Sequence, residues 1–132
     1  MKNLQKKIVL TILSLASLIA VASNAQAQTA AVPTPSSGLM PNPAKGKGLF
    51  VQKCASCHGV DLKGSDTGPA VLHRVYEPSH HGDAAFQNAA ANGARAHHWK
   101  FGNMPAVKGL TPDDVAHVTA YIRMEQRKVG IE

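Results

Sequence analysis

The chain has only two cysteines, Cys54 and Cys57, and few aromatic residues: three Phe, two Tyr and one Trp among 132 residues. Two cysteines allow at most one disulfide, which excludes a disulfide-built scaffold. The apolar residues are mostly alanine and valine, so a domain this small buries only a modest core by itself, and a large apolar cofactor would fill that deficit. No stretch combines strand alternation with a hairpin signal, and no segment repeats, which excludes barrels, sandwiches and solenoids. A basic stripe is also missing. Lys45, Lys47, Lys53, Lys63, Lys100 and Lys108 are scattered among Asp61, Asp66 and Asp83, so a nucleic-acid partner is not expected.

One long apolar run is present, from Ile8 to Ala22, behind Lys2, Lys6 and Lys7 and ahead of Ala25-Gln26-Ala27. It is shorter than the roughly 20 residues that span a bilayer, and its flanks are those of a secretory signal cleaved after Ala27. Residues 1–27 are therefore expected to be a signal peptide, leaving a periplasmic protein with no stable membrane insertion. Cleavage removes three of the fourteen basic residues and none of the eight acidic ones, so the net charge falls from +6 to +3. Residues 28–42, rich in Pro, Ser, Thr and Ala and without periodicity, are expected to form a flexible tether. The folded domain is then 43–132, a monomer.

Asn42-Pro43 reads as a helix start, with a helix over 44–54 that turns Leu49 and Phe50 toward the core. Residues 59–78 read as loop with a helical turn near 71–75. "GDAAFQNAAANG" reads as an alanine-rich helix with Asp83 at its positive end and Gly93 as its cap. Residues 94–110 return to loop. Thr111-Pro112-Asp113-Asp114 resembles a capping box, and it opens a last helix on which Val115, Val118, Tyr121 and Ile122 share one face and which Gly130 can stop. The fold class expected is small and all-α, with about three main helices.

Cys54-Ala55-Ser56-Cys57-His58 is the attachment signature of c-type haem. Two thiols at this spacing add to the two porphyrin vinyl groups as thioethers, and the histidine beyond them is carried under the iron. Three plainer readings compete. A C-x-x-C disulfide closes too small a loop to stabilise much. The βαβ frame of a thioredoxin-like dithiol is absent. Structural zinc needs four ligands, and there is no second C-x-x-C. The second side of the iron needs a ligand or stays open. Met40 lies in the tether and Met124 inside the last helix, whereas Met104 stands in "KFGNMPAVKGL" between Gly102 and Pro105, a loop that can present its thioether.

"AKGKGLFVQKCASCHG", "TGPAVL", "NMPAV" and "VTAYIRMEQRK" together resemble the class I monohaem cytochromes c, over about residues 43–128. The resemblance implies a cytochrome c-like fold wrapped around one covalently bound haem c, held by Cys54 and Cys57, with His58 and Met104 as axial ligands. It implies that Gly46 lets the first and last helices cross closely and that Phe50 meets Tyr121 there. It also implies that the carbonyl of Pro69 accepts the Nδ1 hydrogen of His58, fixing the tautomer. Trp99 is expected in the haem environment, donating to a propionate or packed in the core.

The stretch from Val71 to Trp99 departs from the best-known members, and it carries His73, His80, His81, His97 and His98, to which the last helix adds His117. These are surface or propionate-contacting residues, a copper or zinc site, or alternative axial ligands, with His97 and His98 on the approach to Met104. The function expected is single-electron transfer between respiratory redox partners, an oxidase or a dehydrogenase, by a protein that is not itself an enzyme. Its contacts would be transient, steered by Lys53, Lys63, Lys100 and Lys108. The alternatives are a haem subunit or sensor with a labile sixth ligand, and a histidine-based copper-handling module.

Overall fold

The computed structural model describes residues 31–132; the expected signal peptide and its cleavage point lie outside them. Among these residues the chain is helical with no strand: α1 (Pro43–Lys53), α2 (Ala55–His58), a 3-10 turn (Arg74–Tyr76), α3 (Asp83–Asn92) and α4 (Pro112–Lys128). No helix among them is long and apolar enough to cross a membrane.

α1 begins where the sequence places it. The Asn42 side chain accepts from the N–H groups of Ala44 and Lys45 at 2.9 and 3.2 Å, and Pro43 occupies the first turn, where no donor is needed. The helix breaks at Cys54 (φ −123°), and α2 resumes for one turn until Gly59, at φ 74°, ends it. The C-x-x-C-H motif therefore straddles the break, with Cys54 at it and Cys57 and His58 on their own short turn.

α4 is the longest element, and its start is the expected capping box. Thr111 Oγ1 accepts from the Asp114 N–H at 3.2 Å, and Asp114 Oδ2 accepts from the Thr111 N–H at 3.2 Å. Lys45 of α1 adds an ion pair to the same carboxylate at 3.1 Å. The inward face of α4 carries Val115, Val118, Tyr121 and Ile122, each buried to 6% exposure or less.

The two long helices cross at Gly46. A Cβ placed there would lie 1.9 Å from the His117 carbonyl oxygen, so no other residue fits without parting the helices. One turn on, the Phe50 and Tyr121 rings meet edge to face, centroids 5.8 Å apart. Leu62 completes this core at 2% exposure while holding φ at 63°, a left-handed backbone that a leucine rarely adopts. Its burial, of about 1.5–3 kcal/mol for such a side chain, offsets that strain.

Part of the stretch expected to be a tether lies against α4. The Ser36 N–H and hydroxyl donate to Asp113 at 2.7 and 2.9 Å, and the Asn42 N–H donates to His117 Nδ1 at 2.8 Å. His117, expected at the surface or a propionate, is instead buried in this joint at 7% exposure.

Hydrogen bonds from Thr111, its hydroxyl first, together with Lys45, pull Asp114 from 3.8 down to about 2. A depressed carboxylate contributes stability above its ordinary value and loses it as the pH falls through the folded one. Thr111→Ala should cost about 1 kcal/mol at neutral pH, measured by urea unfolding. Because Asp114 then titrates nearer its ordinary value, the fall in stability between about pH 4 and pH 2 should also be shallower than in the parent protein.

Candidate functional site

A cavity of about 360 Å³ opens between the helices and the 94–104 loop. Phe50, Cys54 and His58 line it from α1 and α2, Phe86, Ala89 and Ala90 from α3, and Val115, Val118 and Ile122 from α4, with Pro69, Trp99 and Met104 from the loops. Of the residues expected to hold or flank the haem, Cys54, His58, Pro69, Trp99 and Met104 thus face one space, and His81, His97 and His98 line it as well. Cys57 is exposed beside it. Met40 is 87% exposed, and Met124 packs on the core, so neither competes with Met104 for the cavity.

His58 is oriented from behind. Its Nδ1 lies 2.8 Å from the Pro69 carbonyl oxygen, as the resemblance implied. A carbonyl only accepts, so Nδ1 carries the hydrogen and Nε2 keeps its lone pair. The Pro69 carbonyl is brought there by Gly68, where a Cβ would meet the Cys57 carbonyl oxygen at 2.7 Å. Ser65 closes the same loop, its hydroxyl donating to the Cys57 carbonyl at 2.6 Å and its N–H to the Gly68 carbonyl at 2.9 Å.

Met104 is held through its backbone. Ala94 and Met104 exchange both N–H···O bonds at 2.9 Å, a single antiparallel bridge that closes the loop 95–103. Gly93 permits it, at φ 78°, because a Cβ there would stand 2.6 Å from the Met104 carbonyl oxygen. The glycine expected as a helix cap is thus also the contact that fixes the methionine loop.

The environment of the thiols does not suit a redox dithiol. Both are unpaired, and burial, then the neighbouring Cys57, push Cys54 up to about 11. A thiol so reluctant to ionise attacks disulfides poorly. The donor set does fit a covalent haem: an apolar slot, one thiol inside it and one at its edge, an imidazole with a free lone pair and a thioether.

Trp99 lines the cavity, and its indole hydrogen goes to the Tyr76 hydroxyl at 3.1 Å. Burial pushes that Tyr76 hydroxyl up from its ordinary range, so it stays protonated. Beyond Trp99 the loop histidines gather. His97 and His98 lie with centroids 4.2 Å apart, His80 and His98 5.0 Å apart. His98 is held below the usual histidine range by desolvation and by the imidazoles of His97, His80 and His81.

Two buried residues that hold the loop beside the site escaped the sequence reading. Arg123 is 7% exposed and donates to the Tyr76 carbonyl at 2.6 Å, to Asp83 at 2.9 Å and to the His81 carbonyl. Gln126, fully buried, donates to the carbonyls of Val71 and Tyr76, each at 3.0 Å. The signal was present in the period: the inward positions 115, 118 and 122 continue to 126.

A family model described as cytochrome c matches residues 43–125. No curated protein and no solved structure matches the chain.

Gly93→Ala should destabilise the protein by about 1–3 kcal/mol, the cost of forced overpacking. Hydrogen exchange should show why. The amides of Ala94 and Met104, slow in the parent, should exchange quickly in the variant while those of the α1–α4 crossing keep their protection.

Proposed function

The chain belongs to the cytochrome c family over residues 43–125, and from that premise we propose that it is an exported carrier of single electrons between respiratory redox proteins, with His58 and Met104 as axial ligands. Family membership brings haem-based electron transfer and one covalently attached haem c, and Cys54-x-x-Cys57-His58 is where the attachment motif stands. The observation that carries the finer reading is that His58, oriented by Pro69, and Met104, fixed by the Ala94 bridge, face the same apolar cavity.

The bound haem supplies reversible one-electron exchange at its iron. The protein's part is to keep that exchange free of other chemistry. The carbonyl of Pro69 holds the hydrogen of His58 Nδ1, so Nε2 remains the donor atom at the iron. Met104 would supply its thioether as the second ligand, which would favour the reduced form more than a second histidine would. Val118, Ile122 and Phe50 exclude water from the slot and lower the local dielectric, which keeps the geometry alike in both oxidation states.

Cys57 is exposed while Cys54 is half-buried, which leaves the attachment edge as the route for electrons. Lys53, Lys63, Lys100 and Lys108 are all exposed, and they are the groups available to steer an acidic partner in a small, transient contact. Export rests on the residues 1–27 pattern, with the periplasm as destination.

Met104→Ala should lower the midpoint potential and abolish the low-spin six-coordinate spectrum; an unchanged spectrum would refute the Met104 assignment. With an acidic redox partner, the bimolecular electron-transfer rate should fall as ionic strength rises, measured by stopped flow, and charge-neutral variants at Lys53 and Lys100 should flatten that dependence.

A further inference from the structure

We propose that His80, His81 and His98 bind one divalent copper ion at the rim of the haem cavity, a site separate from the axial ligands. Each offers one ring nitrogen, and these three atoms lie within 4.8 Å of one another. Metal–nitrogen bonds of about 2.0–2.1 Å put cis donors about 2.9 Å apart in the square-planar geometry copper prefers and about 3.3 Å apart in a tetrahedral one. His80 Nε2 and His98 Nε2 already stand at 3.1 Å. His80 and His98 are exposed and His81 half-buried, so small side-chain rotations bring the third nitrogen in.

The outer contacts are those a metal-binding histidine needs. His81 Nδ1 faces the Val75 carbonyl at 2.5 Å, which makes it the donor and leaves Nε2 as the ligating atom. His97, stacked on His81 with centroids 5.7 Å apart, is set the same way, its Nδ1 on the Arg95 carbonyl at 2.7 Å. It stands by as a fourth imidazole. The backbone under the cluster is clamped as well, because Arg123 of α4 donates to the carbonyls of both Tyr76 and His81.

A structural role explains the arrangement poorly. Imidazoles crowded at a surface gain little from each other, and they repel whenever protonated. The short His80–His98 contact needs a shared hydrogen, and a metal ion replaces that hydrogen with two bonds. An all-nitrogen imidazole set favours borderline metals, and among the divalent ions copper binds such sites most tightly, ahead of zinc. His81 and His98 also line the haem cavity, so a bound dication would favour the reduced haem electrostatically.

The test uses the oxidised, haem-loaded protein titrated with Cu2+, with equilibrium dialysis for stoichiometry and electron paramagnetic resonance for the ligands. One copper per chain with nitrogen hyperfine structure is expected, together with a rise in the haem midpoint potential on loading. His80→Asn/His98→Asn should weaken binding by at least the roughly 10- to 100-fold that loss of even an outer-shell partner costs. The single variant His80→Asn, at an exposed position, should weaken it as well, and His73→Asn should leave it intact. Failure to take up stoichiometric copper, or equal uptake by the double variant, would overturn the proposal.

Discussion

The structure depends on one backbone contact, the approach of Gly46 to the His117 carbonyl. It draws α1 onto α4 closely enough for the Phe50 and Tyr121 rings to meet. It also decides what the cavity is made of. With α1 fixed against α4, the chain leaving α1 carries Cys54 and His58 to one side of the slot, while Val118 and Ile122 on the facing helix become its apolar wall. The asparagine that starts α1 and the histidine buried beneath it belong to the same joint, since the Asn42 N–H ends on His117 Nδ1.

From that crossing, the two candidate iron ligands are placed by the same device on different loops. Gly68 lets the loop after the motif touch Cys57, so that a carbonyl reaches the back of His58. Gly93 lets the loop after α3 touch Met104, so that two backbone bonds hold it. Neither ligand relies on a long side-chain network. Backbone contacts of this kind tolerate little motion, and a redox centre needs a coordination geometry that does not drift between oxidation states.

Much of this was legible in the sequence because it rests on local rules. Proline at a first helical turn, Thr111 with Asp114, Gly93 after an alanine-rich run and C-x-x-C-H each signal their structure within a few residues. The opposition of Phe50 and Tyr121, and of Pro69 and His58, came through a family resemblance, since no local pattern relates positions so far apart. What escaped was long-range and polar. Arg123 looks like helix surface, and Gln126, though on the inward period, has no visible partner until the 71–81 loop folds over both and presents its carbonyls. His117 looked like one of a surface set, yet it is buried by the segment before α1. The break at Cys54 has no sequence signal, because the residues around it are ordinary helix formers.

The scarcity of aromatic and large aliphatic side chains has its counterpart in the cavity. That slot, about 360 Å³ and lined by Phe50, Val118 and Ile122, is apolar wall that the helices do not cover themselves, so the haem is part of the core rather than a guest in it. Covalent attachment follows from the same balance. A small fold that cannot enclose its cofactor with bulk of its own keeps it by bonds, and two thioethers on one short helical turn provide them. The clamp formed by Arg123 and Gln126 then acts at the far edge, fixing the 71–81 loop where the histidines converge.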